Sequence, residues 1–100
     1  MKTITAQELK KLIDDKADFQ LIDVREESEF EEVNMNGLLI PMGEVMDRAE
    51  EISKTKQVVV HCRSGKRSAS VISVLESQLG YANLYNLEGG IMAYLDAFGQ

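Results

Sequence analysis

Cys62, the only cysteine among the 100 residues, lies in a short segment whose residue types suit nucleophilic chemistry. Residues 61–68 have the sequence HCRSGKRS, so that Arg63, Lys66 and Arg67 all follow Cys62 closely. Positively charged neighbours favour the thiolate, which is the nucleophilic form of cysteine. We therefore expect the pKa of Cys62 to be lowered, and the residue to be a nucleophile rather than an inert buried thiol.

The segments on either side of this loop explain how it is positioned. Residues 58–60 are three valines without polar alternation, which predicts a strand covered on both faces. A helix is predicted to begin near Arg67 or Ser68, and its N-terminus presents unpaired backbone N–H groups and the positive end of a dipole. Gly65 allows the chain to curl in between. The loop is predicted to bind a small anion through Arg63, Ser64, Gly65, Lys66 and Arg67.

The rest of the chain alternates between strand and helix patterns joined by short connections. Further strands are predicted at 19–23, 38–40 and 84–86, and helices at 5–16, 26–32, 43–52, 67–79 and 88–98. This alternation predicts an α/β fold: a small parallel sheet of about five strands with helices on both faces, in a single domain over residues 1–100. In such sheets the ligand lies at the carboxyl ends of the strands, which is where Cys62 is expected.

The helix patterns also predict which side chains face the core. In the segment 26–32, Phe30 is expected to be a buried anchor among five glutamates, which themselves form a solvated face. Leu79 ends an apolar stripe before Gly80, and Phe98 is expected to point inward from the last helix.

His61 is the only histidine, and it precedes Cys62 directly. Neighbouring side chains of an extended strand point to opposite faces, so His61 is not expected to act as a general base for Cys62. One histidine and one cysteine are too few for a Cys/His metal site of ordinary ligand count. No metal or cofactor is predicted.

The composition narrows the classes of partner. The chain carries 17 acidic and 11 basic residues, a net charge of −6, which argues against nucleic acid. No apolar run approaches a membrane span, and the first residues lack the apolar region of a signal peptide. A lone cysteine cannot form an internal disulfide, which is consistent with a reducing compartment. We expect a cytoplasmic protein that binds neither nucleic acid nor membrane.

The length of the loop bears on which anion it binds. Cysteine-dependent phosphatases grip phosphate with an arginine six positions after the nucleophile, and here that position is Ser68. Arg67 comes one residue earlier, so the loop encloses a smaller volume around the sulfur. A phosphatase or an arsenate reductase is therefore a less favoured alternative.

Four segments in chain order resemble signatures of the rhodanese (thiosulfate sulfurtransferase) family, in particular its single-domain members. They cover nearly the whole chain: Leu21–Glu26 with Glu29 and Phe30, Gly37 with Ile40 and Pro41, Val59–Ser68, and Asn86–Ile91. The third segment corresponds to the strand and active-site loop of the family. Four signatures in order are far more specific than any one of them.

This resemblance implies a sulfurtransferase that needs no cofactor. Sulfane sulfur would move from thiosulfate, or a similar small anionic donor, to cyanide, a thiol or an acceptor protein through a persulfide on Cys62. The cationic loop favours thiosulfate over mercaptopyruvate. Asp23 and Arg25 would be supporting framework, since a carboxylate close to Cys62 opposes thiolate formation. The alternative within the same family is a non-enzymatic persulfide carrier or docking module.

Overall fold

Five parallel strands form one sheet in the computed structural model, which describes residues 1–99. The strands are β1 (Lys2–Ile4), β2 (Phe19–Asp23), β3 (Leu38–Leu39), β4 (Gln57–His61) and β5 (Leu84–Leu87), in the order β1-β5-β4-β2-β3. The helices are α1 (Ala6–Asp14), α2 (Glu27–Glu32), α3 (Lys66–Leu79) and α4 (Gly90–Phe98). The predicted α/β class, with a parallel sheet of five strands, is confirmed.

Strand β4 lies at the centre of the sheet, and its side chains enter two separate cores. Val58 and Val60 belong to the larger core, which also contains Ile72 and Leu75 of α3. Val59 belongs to the smaller core, which contains Leu9 of α1. Helices therefore cover both faces of β4, and this is why its sequence is apolar without alternation.

Helix α1 begins as its sequence predicts and ends two residues early. Thr5 accepts a hydrogen bond from the amide of Glu8 (3.1 Å), and the Glu8 carboxylate accepts one from the amide of Thr5 (2.9 Å). This reciprocal pair is a capping box. The helix ends at Asp14 instead of continuing to Lys16: the Asp15 amide still donates to the Lys11 carbonyl (2.9 Å), but Lys16 has a positive φ of 52°, which a helix cannot accommodate.

The predicted helix over residues 43–52 was wrong. Two 3-10 turns, Met42–Glu44 and Ala49–Glu51, replace it, although Val45, Ala49 and Ile52 are buried as their spacing predicts. The hydroxyl of Tyr81 donates hydrogen bonds to the carbonyls of Ala49 (2.9 Å) and Ile52 (3.1 Å). This segment is therefore held to the rest of the fold by Tyr81 rather than by continuous helical hydrogen bonds.

Strand β1 is an element that the sequence patterns missed. It has three residues, of which only Ile4 is buried, and it pairs with β5, with Lys2 opposite Tyr85. So short an edge strand carries no alternation by which it could be recognised.

Two side chains predicted to face the core are partly exposed instead. Leu79 keeps 37% of its surface exposed at the end of α3, and Phe98 keeps 39% at the end of α4. The Phe98 ring packs on Tyr94, with the Lys10 ammonium 5.7 Å from its centroid. Phe30 of α2 is half-buried.

Within residues 1–99, no helix combines the length and the apolar character that crossing a membrane requires.

We expect Tyr81→Phe to lower the free energy of unfolding by about 1 kcal/mol, because the buried carbonyls of Ala49 and Ile52 lose a donor. Denaturant titration measures this change. Tyr94→Phe is the matched control, since among residues 1–99 no hydrogen bond to its hydroxyl is formed. Equal stability of the two variants would contradict the role given to the Tyr81 hydroxyl.

Candidate active site

Cys62 directly follows β4, at the carboxyl edge of the sheet, and is 1% exposed. Its sulfur accepts hydrogen bonds from two backbone amides, those of Gly65 (3.1 Å) and Ser68 (3.4 Å). Helix α3 begins at Lys66, so both donors belong to its first turn or to the residue that precedes it. The predicted loop between a buried strand and a helix N-terminus is thus what the structure contains, and its N–H groups converge on Sγ.

Gly65 makes this convergence possible. Its φ of +106° is a backbone conformation that side-chain-bearing residues rarely adopt, and it immediately precedes α3. This conformation turns the chain from the loop into α3, so that the amide of Ser68 in the first turn points toward Sγ, as the Gly65 amide also does.

Ser68 and Asn86 complete the surroundings of the sulfur. The Ser68 hydroxyl oxygen lies 3.4 Å from Sγ and donates a 2.6 Å hydrogen bond to the Asn86 side-chain oxygen. The Asn86 amide nitrogen donates to the Gly65 carbonyl (3.1 Å), which fixes the orientation of the Asn86 side chain. A hydroxyl has one hydrogen, so Ser68 donates either to Asn86 or to a Cys62 thiolate, whereas the backbone amides donate in both cases.

Asn86 was not among the site residues predicted from the sequence. It lies on β5, which pairs with β4, near the carboxyl end where the loop begins. A polar residue inside a short apolar strand next to the nucleophile's strand is the signal that could have identified it.

The hydrogen bonds around Sγ lower the pKa of Cys62 below its ordinary value. Burial alone acts in the opposite direction, because it disfavours the charged form. The Ser68 hydroxyl and amide and the amides of Gly65 and Ser64 outweigh that cost. The net effect favours a thiolate, as expected for a reactive cysteine.

The N-terminus of α4 holds the other side of the loop backbone. The amide of Ile91 donates to the Cys62 carbonyl (2.9 Å), and the amide of Met92 donates to the Arg63 carbonyl (3.2 Å). These two hydrogen bonds hold the loop carbonyls against α4, whereas the amides of Gly65 and Ser68 point toward the sulfur. A Cβ on Gly90 would lie 2.4 Å from the Arg63 carbonyl oxygen, so this approach requires glycine.

The three predicted anion-binding cations are not equivalent. Arg63 and Lys66 are exposed, and neither forms an ion pair with a carboxylate of the described residues 1–99. Arg67 is partly buried and forms a bidentate ion pair with Glu29 of α2, at 2.7 and 2.9 Å. Ser64 is exposed at the tip of the loop.

Glu29 therefore corrects the prediction that residues 26–32 form only a solvated face. The hydrogen bonds from Arg67 lower its pKa to about 2, against the cost of its partial burial. The neighbouring glutamates Glu26, Glu27, Glu31 and Glu32 are exposed. A contact across 38 positions of the chain leaves no local pattern by which Glu29 could be distinguished from them.

Asp23 and Arg25 form a buried ion pair one strand away from the loop. The Arg25 guanidinium donates to both carboxylate oxygens of Asp23, at 2.8 to 3.2 Å, and to the carbonyl of Val33 (2.7 Å). The pair thus joins the end of β2 to the end of α2, the helix that carries Glu29. The supporting-framework role of Asp23 and Arg25 stays a prediction, and these contacts are consistent with it.

His61 is fully buried beside Asp23, with its Nε2 3.7 Å from an Asp23 carboxylate oxygen. Burial lowers the pKa of His61, despite the opposing charge of Asp23. The imidazole is therefore neutral near pH 7. His61 lies opposite Asp23 in the pairing of β4 with β2, and its side chain lies beside the Asp23 carboxylate. Among residues 1–99, no group of three or more histidine, cysteine, aspartate or glutamate side chains is placed to hold a metal ion.

We expect Gly90→Ala to destabilise the fold by at least about 2 kcal/mol, since its Cβ would collide with the loop carbonyls of Cys62 and Arg63. Gly43→Ala is the matched control, because a Cβ there meets nothing within 4 Å. Denaturant titration of both variants measures the difference. Equal stability of the two would show that α4 does not depend on this close approach.

Comparison with known proteins agrees with this geometry. The rhodanese-like domain model matches residues 5–97. A putative sulfurtransferase YtwF of Bacillus subtilis is 38% identical over 94% of this chain and 90% of its own length. A sulfurtransferase of Allochromatium vinosum is 36% identical over 91% of this chain and 85% of its own length.

Solved structures show the same arrangement of elements. A rhodanese-like domain protein from Staphylococcus aureus superposes with a TM-score of 0.85 at 34% identity, over 94% of this chain and 91% of that one. The family model spans nearly all of the strands and helices described above, including the loop after β4 and the turn before α4. The chain belongs to the rhodanese-like domain family.

Proposed function

We propose that this protein is a sulfurtransferase that carries sulfane sulfur as a persulfide on Cys62. The observation that supports it most directly is the hydrogen bonding of Sγ by the amides of Gly65 and Ser68 in a loop that lowers the thiol pKa. Membership of the rhodanese-like family and the sulfurtransferase names of its relatives support sulfur transfer in general.

The reaction has two steps. In the first, the Cys62 thiolate attacks the outer sulfur of thiosulfate, the S–S bond of the donor breaks, and sulfite leaves with the bonding electron pair. The product is an anionic Cys62 persulfide, so charge and atoms balance. In the second, a thiophilic acceptor (cyanide, a thiol or an acceptor protein) attacks the outer sulfur and regenerates the thiolate.

The loop supplies what both steps need. Amide donors already aimed at Sγ stabilise, without rearrangement, the negative charge of the thiolate, which is the nucleophile of the first step and the leaving group of the second. Arg63 and Lys66, exposed at the mouth and without carboxylate partners among the described residues, attract an anionic donor from solution. No step requires a metal or a bound cofactor.

The position of Ser68 supports sulfur over phosphate as the group transferred. A phosphatase of the cysteine-loop type would need an arginine at this position to grip phosphate oxygens. Ser68 is instead fully buried and hydrogen-bonded to Asn86. Arg67, the residue before it in the sequence, forms an ion pair with Glu29. Phosphate ester hydrolysis is thus the less favoured function.

A persulfide carrier would share the first step and differ in the second. A carrier delivers its sulfur only to a specific protein, whereas an enzyme also turns over with small acceptors. Release of the bound sulfur to cyanide distinguishes the two functions.

Incubation with thiosulfate is expected to add one sulfur atom to the intact protein, as measured by mass spectrometry. Cys62→Ser, which removes the nucleophile and keeps a similar volume, is expected to gain none. A folded wild-type protein that acquires no sulfur, or a Cys62→Ser variant that still acquires it, would contradict the proposal.

The rate of alkylation of Cys62 is expected to reach its plateau at a lower pH in the folded protein than in the same chain unfolded in denaturant. The direction follows from the lowered pKa: more thiolate is present at a given pH in the folded state. The unfolded chain is the control, since it has lost the amide donors. Coincident profiles would show that the loop does not stabilise the thiolate.

A further inference from the structure

The ion pair between Glu29 and Arg67 attaches a carboxylate to the active-site loop, at the residue before Ser68, whose amide binds Sγ. Arg67 is in the first turn of α3, and the hydrogen bonds that it donates to Glu29 are the main reason why its pKa is raised. Arg67 directly precedes Ser68, whose amide donates a hydrogen bond to Sγ (3.4 Å), so its side chain leaves the backbone one residue from an amide that binds the sulfur. One of the three loop cations is therefore already neutralised before any donor arrives.

The ion pair has the geometry of a strong interaction. Both Arg67 nitrogens donate to separate Glu29 oxygens, at 2.7 and 2.9 Å, and each side chain is about two-thirds removed from water, with 35% and 28% exposed. Bidentate, charge-assisted pairs of this kind hold an arginine in a fixed orientation. An incoming anion must therefore compete with Glu29 for this guanidinium.

A second glutamate lies close to the loop on the same side. A small cavity of about 60 Å³ adjoins the loop at Arg63, and its lining includes Glu29 and Glu32 of α2. The Arg25 guanidinium, which also lines this cavity, is neutralised by Asp23. The lining of this cavity thus contains two cations, Arg25 and Arg63, and two carboxylates, Glu29 and Glu32.

We propose that Glu29 is a specificity-determining residue: by occupying Arg67, it disfavours a dianionic donor such as thiosulfate relative to a donor of lower charge, a small alkyl hydropersulfide. This inference rests on the proposed sulfur transfer and concerns the donor class. Coulomb repulsion scales with the charge of the donor, so a carboxylate on the loop repels the thiosulfate dianion and has little effect on a hydropersulfide that reacts in its neutral form, R–S–SH.

Transfer from a hydropersulfide balances without another reactant. The Cys62 thiolate attacks the outer sulfur of R–S–SH, the donor's S–S bond breaks, and the alkyl thiolate leaves with the electron pair. Cys62 then carries the –SH sulfur, and the alkyl thiolate takes up a proton from water. The donor sulfur bound to carbon is reduced to a thiol, and the Cys62 sulfur is oxidised to the persulfide level.

The test compares two donors on the intact protein: thiosulfate, and a hydropersulfide of 2-mercaptoethanol, which has no other charged group. Stopped reactions and mass spectrometry give the second-order rate constant of Cys62 persulfidation by each donor. The quantity of interest is the ratio of the thiosulfate rate constant to the hydropersulfide rate constant, because general damage to the loop lowers both rates and cancels in the ratio.

Glu29→Gln keeps the size of the side chain and releases the charge of Arg67. We expect this substitution to raise the ratio about fivefold at low salt, and the increase to shrink as salt screens the site. Glu32→Gln is the matched control: it removes a carboxylate from the same helix and the same cavity, but leaves Arg67 paired. We expect its ratio to stay within about twofold of the wild type.

Arg67→Gln is a second variant, for which the ratio of the two rate constants is expected to change in the opposite direction. Here the Glu29 carboxylate loses its partner, and the ratio is expected to fall below that of the wild type. An unchanged or lowered ratio in Glu29→Gln would overturn the inference whatever the result for Arg67→Gln, as would an equal rise in Glu29→Gln and Glu32→Gln. Failure of the wild type to accept sulfur from either donor would instead overturn the proposed function itself.

Discussion

A buried sulfur can carry a negative charge only if hydrogen-bond donors replace the water that burial removes, and the rest of this structure depends on that requirement. The donors are the backbone amides of Gly65 and Ser68, so their positions depend on the path of the chain rather than on the identity of the side chains. They converge on Cys62 because β4 ends at His61, directly before it, and α3 begins at Lys66. Gly65, between them, has a positive φ that residues with a side chain rarely adopt. The parallel sheet serves to place these two ends together.

The neighbouring elements each hold one part of that turn. Helix α4 binds its outward carbonyls, Asn86 of β5 binds the carbonyl of Gly65, and Glu29 of α2 binds the side chain of Arg67. Of these, only the last adds a net charge to the surroundings of the sulfur. The same network that shapes the loop therefore also contributes to the electrostatic field that a donor meets.

Much of the fold and the centre of the site could be predicted from the sequence, because their signals are local. The valine run, the glycine after Cys62 and the cluster of cations lie within ten residues of one another. The contributions of Glu29 and Asn86 could not be predicted in this way, since each reaches the loop from a distant segment. Strand β1 and the 3-10 turns at 42–51 were missed for a related reason: pairing with β5 and the hydroxyl of Tyr81 determine them more than their own residues do.

The pairing of β1 with β5 has a consequence for the newly made chain. Lys2 finds its partner only at Tyr85, and the carbonyls of Cys62 and Arg63 find theirs only at Ile91 and Met92. Before residues 91 and 92 have been synthesised, the Cys62 loop lacks the α4 contacts that hold its backbone. The surroundings of the sulfur are thus complete only when β5 and α4 have joined the fold, so this site cannot form from the segment around Cys62 alone.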